Sequence, residues 1–285
     1  MVNRHPRRPP NQILLTDFDL RTVRRRVVCG CMFHHEFAAL DWRLHELEAV
    51  VDEFVVVESV RTHSGHPRDL VRPDRDPRFA RFRDRLHTFV IADPPGGPDP
   101  WPRERHQRQS IWTVGASTLS TSDDDLIIIS DVDEVPYPEV VQRLAFSSFQ
   151  EPIRIRPRWF NFDWNTYLGP WPHDSIRLYP AGLLRQLTEG GRAAEIGDNS
   201  IPGRELSGLN GWHASWFGSD EFILEKLSAY SHAFDDKDLQ LASEGVAGIH
   251  RRRHSGLDMY GERERRDGRP RLPKHAHRIG SVKPP

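Results

Sequence analysis

The sequence predicts an α/β protein built on a single, mostly parallel sheet of the Rossmann type. Up to Pro136, short apolar runs typical of buried strands alternate with longer segments that place apolar residues three or four positions apart, as helices do. Such alternation is typical of strand, helix, strand units, whose connections are right-handed and whose strands run parallel. The length of 285 residues fits one large domain or two small ones.

The elements of this first part are joined by loops, of which the longest is a polar stretch, with Gly65 and Pro67, before the third strand. The strands are apolar runs rich in Val and Ile, and a Pro- and Gly-rich stretch at 93–102 predicts a loop. The predicted elements are strand 27–32, helix 37–51, strand 54–57, strand 86–91, helix 103–120 and strand 126–129.

After Pro136 the pattern changes. Residues 151–217 are rich in aromatic residues and broken by Gly and Pro, with strand-like pieces at 153–155 and 176–179. A helix is predicted at 219–231, with Ser219 or Asp220 as its N-cap. We expect residues 26–260 to form one domain, residues 1–25 to be disordered or extended, and residues 261–285 to be a tail.

Composition excludes several classes of protein. Lys and Arg number 40 against 41 Asp and Glu, so no overall field favours nucleic acid or an anionic membrane. The two cysteines, Cys29 and Cys31, cannot build a disulfide framework. The sequence has no second pair of cysteines to complete a zinc site. No apolar run approaches the ~20 residues that span a bilayer, and no signal peptide is visible. We therefore expect a cytoplasmic protein without a membrane span.

The most informative segment is the acidic end of the strand at 126–129. Asp131 and Asp133 follow the strand, and Pro136 then stops its ladder. Ligands of open α/β sheets lie beyond the carboxyl ends of the strands. Spacing of two lets both carboxylates leave on one side, where they could share a hard divalent cation, Mn²⁺ or Mg²⁺, with phosphate oxygens. The alternative is a capped strand end with solvated acids.

Tryptophans are concentrated after this acidic segment. Aromatic faces suit the apolar C–H patches of sugar rings, although each tryptophan taken singly could be a core residue. Five of the eight fall between residues 159 and 216: Trp159, Trp164, Trp171, Trp212 and Trp216.

Histidine and arginine residues could complete a ligand site. His213, set between aromatic residues, could join Asp131 and Asp133 around a metal or donate to a pyrophosphate, or it could be structural. Arg105 and Arg108 open the predicted helix before the acidic strand and could face phosphates, because a guanidinium stays charged; a solvated helix start explains them equally well. His34 and His35, near the end of the first strand, could also touch a ligand.

Four segments, in this order, resemble glycosyltransferase family 17. They are the run from Leu40 to Gly65, the Gln107-Arg108 pair, the acidic segment Asp124 to Pro136, and Gly211-Trp212-His213 with Lys226 downstream. The resemblance covers about Val27 to Tyr260, and it implies a GT-A-like fold with inversion at the anomeric carbon. It also implies a UDP-sugar donor, N-acetylglucosamine being one candidate sugar, a divalent cation and a hydroxyl acceptor such as a carbohydrate.

The resemblance carries roles onto individual residues. The family's D-x-D motif falls on Asp131 and Asp133, and its Gly-Trp-His motif makes His213 a third metal ligand. Residues 26–136 then form the nucleotide-sugar half and residues 137–260 an elaborated acceptor-side half. Donor binding is expected of Glu58, Arg105, Arg108, Asp131 and Lys226, and acceptor binding of Trp164, Trp212 and Trp216.

Inverting transfer also needs a general base that the cation does not bind. Asp163 is slightly favoured, because its aromatic flanks could desolvate it and raise its pKa, and Glu221 follows closely, with Asp220 behind. Animal Golgi members carry a membrane anchor and luminal cysteines, which this chain lacks, so we expect an acceptor other than a secreted N-glycan. Two rival hypotheses are a haloacid-dehalogenase-type phosphatase and a carbohydrate-binding module without catalysis.

Overall fold

A mixed sheet organises the computed structural model, which describes residues 11–173, 175–267 and 270–280. The sheet contains ten strands among these residues. They are β1 (Gln12–Ile13), β2 (Val27–Met32), β3 (Glu53–Ser59), β4 (Leu86–Ile91), β5 (Leu126–Ile129), β6 (Glu134–Pro136), β7 (Ile153–Asn161), β8 (Tyr167–Pro170), β9 (Ile176–Pro180) and β10 (Arg204–Ser215).

The strand order is β1-β10-β7-β9-β5-β2-β3-β4, with β6 paired to β10 and β8 paired to β7. Strands β4, β3, β2 and β5 are parallel neighbours, as are β1, β10 and β7. Strand β9 runs antiparallel to both β5 and β7 and joins the two parallel groups. The predicted α/β fold with a mostly parallel main sheet is confirmed.

Seven α-helices are found among the described residues, and they connect or cover the strands. Helix α2 continues into a π-helical turn at Ile111–Gly115 and a 3₁₀ turn at Ala116–Thr118, so only the first part of the predicted helix 103–120 is α-helical. The helices are α1 (Phe37–Leu47), α2 (Trp101–Ser110), α3 (Pro138–Ala145), α4 (Ala181–Glu189), α5 (Ala194–Gly197), α6 (Asp220–Ala229) and α7 (Asp236–His254).

The irregular turn after α2 packs directly on the sheet. A Cβ atom at Gly30 would lie 2.1 Å from Cγ2 of Ile111, so β2 accepts the π-helical turn only because residue 30 has no side chain. This contact brings the turn after α2 against β2, the parallel neighbour of the strand β5 that leads into the acidic segment. Tertiary packing therefore decides the local helix type here.

Local patterns predicted several elements correctly. Strands β2, β4 and β5 have the predicted bounds, and Ser219 caps α6 by accepting a hydrogen bond from the amide of Phe222. Strand β10 was not predicted, because two register shifts along its pairing with β7 break the alternation of apolar and polar residues. Helix α7 was also missed; Gly245, at φ 63°, kinks it and interrupts its periodicity.

Both terminal segments contact the domain where the structure describes them. Strand β1 pairs in parallel with β10, whereas residues 1–10 of the expected N-terminal segment lie outside the described residues. The tail is docked: Glu46 accepts hydrogen bonds from the amides of Lys274 and His275, at 3.1 and 2.9 Å. Ala276 belongs to the main hydrophobic core. The sequence did not predict this contact, because the tail is only weakly patterned.

The core lies on both faces of the sheet. Cys29 and Cys31 point into the same cluster, as their spacing predicts, and both thiols are free. Four strands of the sheet, β1 to β4, precede β5 in the chain. A dehalogenase-type signature closes the first strand of its fold, so this order weighs against the phosphatase hypothesis.

No helix among the described residues has the length and apolarity needed to cross a bilayer.

Candidate functional site

A pocket of about 750 Å³ opens where the acidic segment follows β5. Its walls come from the ends of β2 and β10, the loop after β3, helix α2, and the region from α6 to Arg263. Of the predicted site residues, the pocket brings together Asp131, Asp133, His213, Trp216 and Lys226.

Asp131 and Asp133 lie in a turn rather than on the strand. The amide of Glu134 donates to the carbonyl of Asp131 at 3.1 Å. The chain then enters the short strand β6, which ends at Pro136. Arg43, fully buried on α1, donates to the carbonyls of Asp131 and Glu134, each at 2.9 Å. A buried guanidinium therefore holds the loop that carries both acids, a role that no sequence motif indicated.

Asp133 has a cation on one side and an imidazole on the other. Its Oδ2 lies 3.2 Å from Nζ of Lys226, and its Oδ1 lies 3.8 Å from Nε2 of His213. Burial opposes ionisation of Asp133, but Lys226 and His213 outweigh it and lower the pKa of the carboxyl. Burial also lowers the pKa of His213 to about 4, so this imidazole is neutral and keeps a lone pair near pH 7.

Asp131 is matched by an arginine from α2. Nη2 of Arg108 lies 3.4 Å from Oδ1 of Asp131 and 2.5 Å from Oε1 of Glu104, and Ser231 donates to the other oxygen of Glu104. Burial raises the pKa of Asp131 against the opposing charge of Arg108. The site thus pairs each acid of the motif with one cation, and Arg108 reaches Asp131 without itself lining the pocket.

Ligand atoms for a metal are most closely gathered elsewhere. Within the described residues, two groups bring three such atoms within 4.8 Å of one another, and neither group contains the acidic motif. Arg108 and Lys226 instead each pair with one carboxylate oxygen of the motif, at 3.4 and 3.2 Å. The two gathered groups are His34, His35 and Glu225, and His232, Asp235 and Asp238.

Three residues expected to bind the donor, Glu58, Arg105 and Arg108, are not among the residues that line the pocket. Glu58 is fully buried and accepts hydrogen bonds from Arg68 and from the amides of Val71 and Arg72, so it ties down the loop after β3. Arg105 points outward and pairs with Asp198 at 3.1 Å. The structure therefore does not bring the side chains of Glu58 and Arg105 into the pocket where donor binding was expected.

Both carboxylates expected to act as the base are also outside the pocket lining. Oδ1 of Asp163 accepts hydrogen bonds from the amides of Asn165 and Thr166, at 2.8 and 3.0 Å, and so closes a turn. Glu221 and Asp220 lie in the first turn of α6, where Asp220 pairs with Arg253 at 2.8 Å. Helix and turn capping, rather than desolvation in a cleft, accounts for these acids.

The aromatic residues divide into two groups. Trp164 and Trp212 are 2% and 1% exposed, and their indole N–H groups donate to the carbonyls of Ala276 and Arg271 in the tail. They hold the tail and do not reach the pocket, which corrects their expected role in acceptor binding. Trp159 and Trp171 line the pocket instead, 4.7 Å apart between ring centroids, and Trp171 lies 4.3 Å from the ring of His213.

Among the pocket acids that the sequence did not indicate is Asp238, which belongs to the unpredicted helix α7. Asp238 is 3% exposed, lines the pocket, and accepts hydrogen bonds from the hydroxyls of Tyr260, at 3.0 Å, and Tyr230. Burial raises the pKa of Asp238 against the effect of these two donors. A buried carboxylate with a raised pKa inside a cleft is a candidate for proton transfer.

Comparison with known proteins gives one consistent result. A family model described as glycosyltransferase family 17 matches residues 9–251. The beta-1,4-mannosyl-glycoprotein 4-beta-N-acetylglucosaminyltransferases of Homo sapiens and Rattus norvegicus are each 37% identical over 234 residues. The match covers 73% of this chain and 43% of each relative, so the chain spans less than half the length of these proteins.

Solved structures add a distant likeness. The galactosyltransferase LgtC, in complex with donor and acceptor sugar analogues, is 11% identical and covers 75% of this chain and 81% of its own, with a TM-score of 0.31. At that score the comparison assigns no residues, and the roles of the pocket side chains have to be inferred from their own geometry.

Proposed function

The chain belongs to glycosyltransferase family 17, and from that membership we propose that it transfers a sugar from a UDP-sugar donor to a hydroxyl group. The observation that carries the proposal is the pairing of Asp131 and Asp133 with Arg108 and Lys226 beside a pocket of about 750 Å³. Pockets of this size suit a ligand as large as a nucleotide sugar. The names of the relatives make UDP-N-acetylglucosamine the first donor to test.

The donor set suits a divalent cation. Asp131 and Asp133 offer carboxylate oxygens, and His213 offers a neutral imidazole whose Nε2 lies 3.8 Å from Oδ1 of Asp133. We propose that these three residues hold Mn²⁺ or Mg²⁺, which would neutralise charge on the diphosphate leaving group.

Lys226 and Arg108 supply the remaining positive charge. The ammonium of Lys226 is fixed 3.2 Å from Asp133 and 3.3 Å from Glu36, and these partners raise its pKa despite burial, so it remains charged. Charged donors held in a cleft stabilise a polyanion strongly, because they need not reorganise when it binds. We assign both side chains to the diphosphate of the donor.

Asp238 is our candidate for the general base. In an inverting transfer the acceptor hydroxyl gives its proton to the base while its oxygen bonds the anomeric carbon, and the bond from that carbon to the diphosphate breaks. Asp238 is presented to the pocket by two tyrosine hydroxyls, and its raised pKa makes it a stronger base than an ordinary aspartate.

The aromatic wall of Trp159 and Trp171 is our candidate for the acceptor subsite. The ring of Trp171 lies beside His213, and the ring of Trp159 packs against that of Trp171. Both rings therefore lie near the proposed binding site of the diphosphate, where the donor and acceptor sugars must meet. Trp159 is held by its indole N–H, which donates to Oγ of Ser215 at 2.7 Å. Rigid aromatic faces of this kind bind sugar rings at low entropic cost.

Donor binding in the presence of Mn²⁺ tests the proposal. A UDP-sugar at ~100 times its Kd should add about 2.7 kcal/mol to the free energy of unfolding, read as a thermal shift. Asp133→Ala should abolish Mn²⁺-dependent UDP binding in calorimetry without unfolding the protein. Asp123→Ala, which removes an exposed acid paired with Arg185, is the control. Unchanged UDP affinity in Asp133→Ala would refute the assignment.

A further inference from the structure

His34 and His35 lie just beyond β2, across a second groove from α6. Nδ1 of His35 and Nε2 of His34 point at the same atom, Oε1 of Glu225, at 3.2 and 3.8 Å. The groove has a volume of about 430 Å³, and Asp131, Asp133 and Lys226 do not line it. The established family membership assigns nothing to this cluster.

We propose that His34, His35 and Glu225 form a transition-metal site that is separate from the acidic motif and takes an ion of the zinc class. Zinc bonds of ~2.0–2.2 Å to nitrogen and oxygen, arranged as a tetrahedron, place neighbouring ligand atoms about 3.4 Å apart. The two distances to Glu225 bracket that value, and all three ligand atoms lie within 4.8 Å of one another.

The backbone and the rings of the two histidines are already held in place. The amide of His34 donates to Oε2 of Glu36 at 3.0 Å, and its carbonyl accepts from Nη2 of Arg68 at 3.0 Å. The rings of His34 and His35 stack with centroids 4.5 Å apart and planes 19° from parallel. Little conformational freedom is therefore lost when an ion binds.

The chemistry of the three ligand groups also suits a transition metal. The positive charge of the neighbouring Arg68 is matched by Glu58 at 2.9 Å. Two imidazoles and one carboxylate favour Zn²⁺, Ni²⁺ or Cu²⁺, whereas carboxylates with phosphate oxygens favour Mg²⁺ or Mn²⁺. The two centres should therefore select different ions.

The cluster adjoins the main pocket, because His34 lines both the pocket and the second groove. Glu225 precedes Lys226, and His34 and His35 precede Glu36, whose carboxylate lies 3.3 Å from Nζ of Lys226. An ion here would link α6 to the loop after β2. The ion pair between Lys226 and Glu36 already links the same two elements beside the main pocket. The site would thus brace Lys226 from outside.

Zinc binding to the full chain, stripped with chelator and free of any nucleotide sugar, tests the site. Calorimetry with Zn²⁺ should show one site that His35→Ala and Glu225→Gln each weaken by at least ~10-fold, as loss of a ligand contact requires. Co²⁺ should give a visible ligand-field spectrum that both variants lose. Circular dichroism should show that both variants, which alter partly exposed side chains, remain folded.

Two controls separate this site from the others. Asp133→Ala removes one carboxylate of the acidic motif, and His232→Ala removes the histidine of the other group of gathered ligand atoms. Both variants should keep the Zn²⁺ affinity of the original protein. Loss of binding in either control with retention in His35→Ala would overturn the proposal, as would the absence of Zn²⁺ binding altogether. Because no UDP-sugar is present, failure of this proposal is distinguishable from failure of the proposed transfer.

Discussion

Nζ of Lys226 lies 3.2 Å from Oδ2 of Asp133, so helix α6 supplies the counter-charge of an acid on the loop after β5. The two residues are 93 positions apart in the chain. While this contact exists, Lys226 occupies one of the oxygens that a cation would use. If Asp133 binds a cation as proposed, Lys226 and the cation would compete for it before the donor arrives and act together once the diphosphate is bound.

Lys226→Met should have opposite effects on the two ligands. UDP affinity in the presence of Mn²⁺ should fall by roughly 10-fold, since a hydrogen bond to a charged group contributes about 1.5 kcal/mol. Affinity for Mn²⁺ alone should rise, because Oδ2 of Asp133 is released. Calorimetry measures both, with Lys274→Met as the control for loss of a surface charge. A fall in Mn²⁺ affinity would contradict the competition.

Asp238→Asn should bind UDP normally and lose transfer by ~10²–10⁴-fold, the usual contribution of a general base. Asp163→Asn is the matched comparison, because its carboxylate closes a turn outside the pocket. We expect that variant to keep most of its turnover. Single-turnover transfer assays on both proteins distinguish the two acids, and the reverse pattern would return the role to Asp163.

The pH dependence of transfer should report Asp238. A base must be deprotonated to act, and burial raises the pKa of Asp238 above the ordinary 3.8, so kcat/KM should rise with pH through a midpoint above that value. The hydroxyl of Tyr260 lowers this pKa by donating to the carboxylate. Tyr260→Phe should therefore move the midpoint to higher pH. A midpoint that stays in place, or moves down, would exclude Asp238 as the titrating group.

Trp212 and Trp171 should respond in opposite ways to replacement by Phe. Trp212→Phe removes the hydrogen bond to the carbonyl of Arg271, 2.8 Å long, and should cost about 1 kcal/mol of stability with little change in acceptor KM. Trp171→Phe should raise acceptor KM and leave the melting temperature close to that of the original protein. Thermal unfolding and acceptor titrations measure both, and a large KM effect in Trp212→Phe would restore its predicted role.

The sequence by itself determined the local elements and the position of the acidic motif. Runs such as 27–32, 86–91 and 126–129 are apolar and rich in β-branched residues, so their strand character follows from neighbouring residues alone. The motif Asp131-Val132-Asp133 follows its strand directly, so its place at the carboxyl end of the sheet needed no further information.

Only the tertiary structure decided which side chains share the pocket. Asp163 and Asp238 are both acids near aromatic residues in the sequence, yet one closes a turn and the other lines the cleft. Trp171 and Trp212 are divided in the same way by the docking of the tail. Burial and ion pairing depend on residues that are distant in the chain and meet only when the sheet is assembled. The local sequence pattern therefore does not predict which side chains are buried or paired.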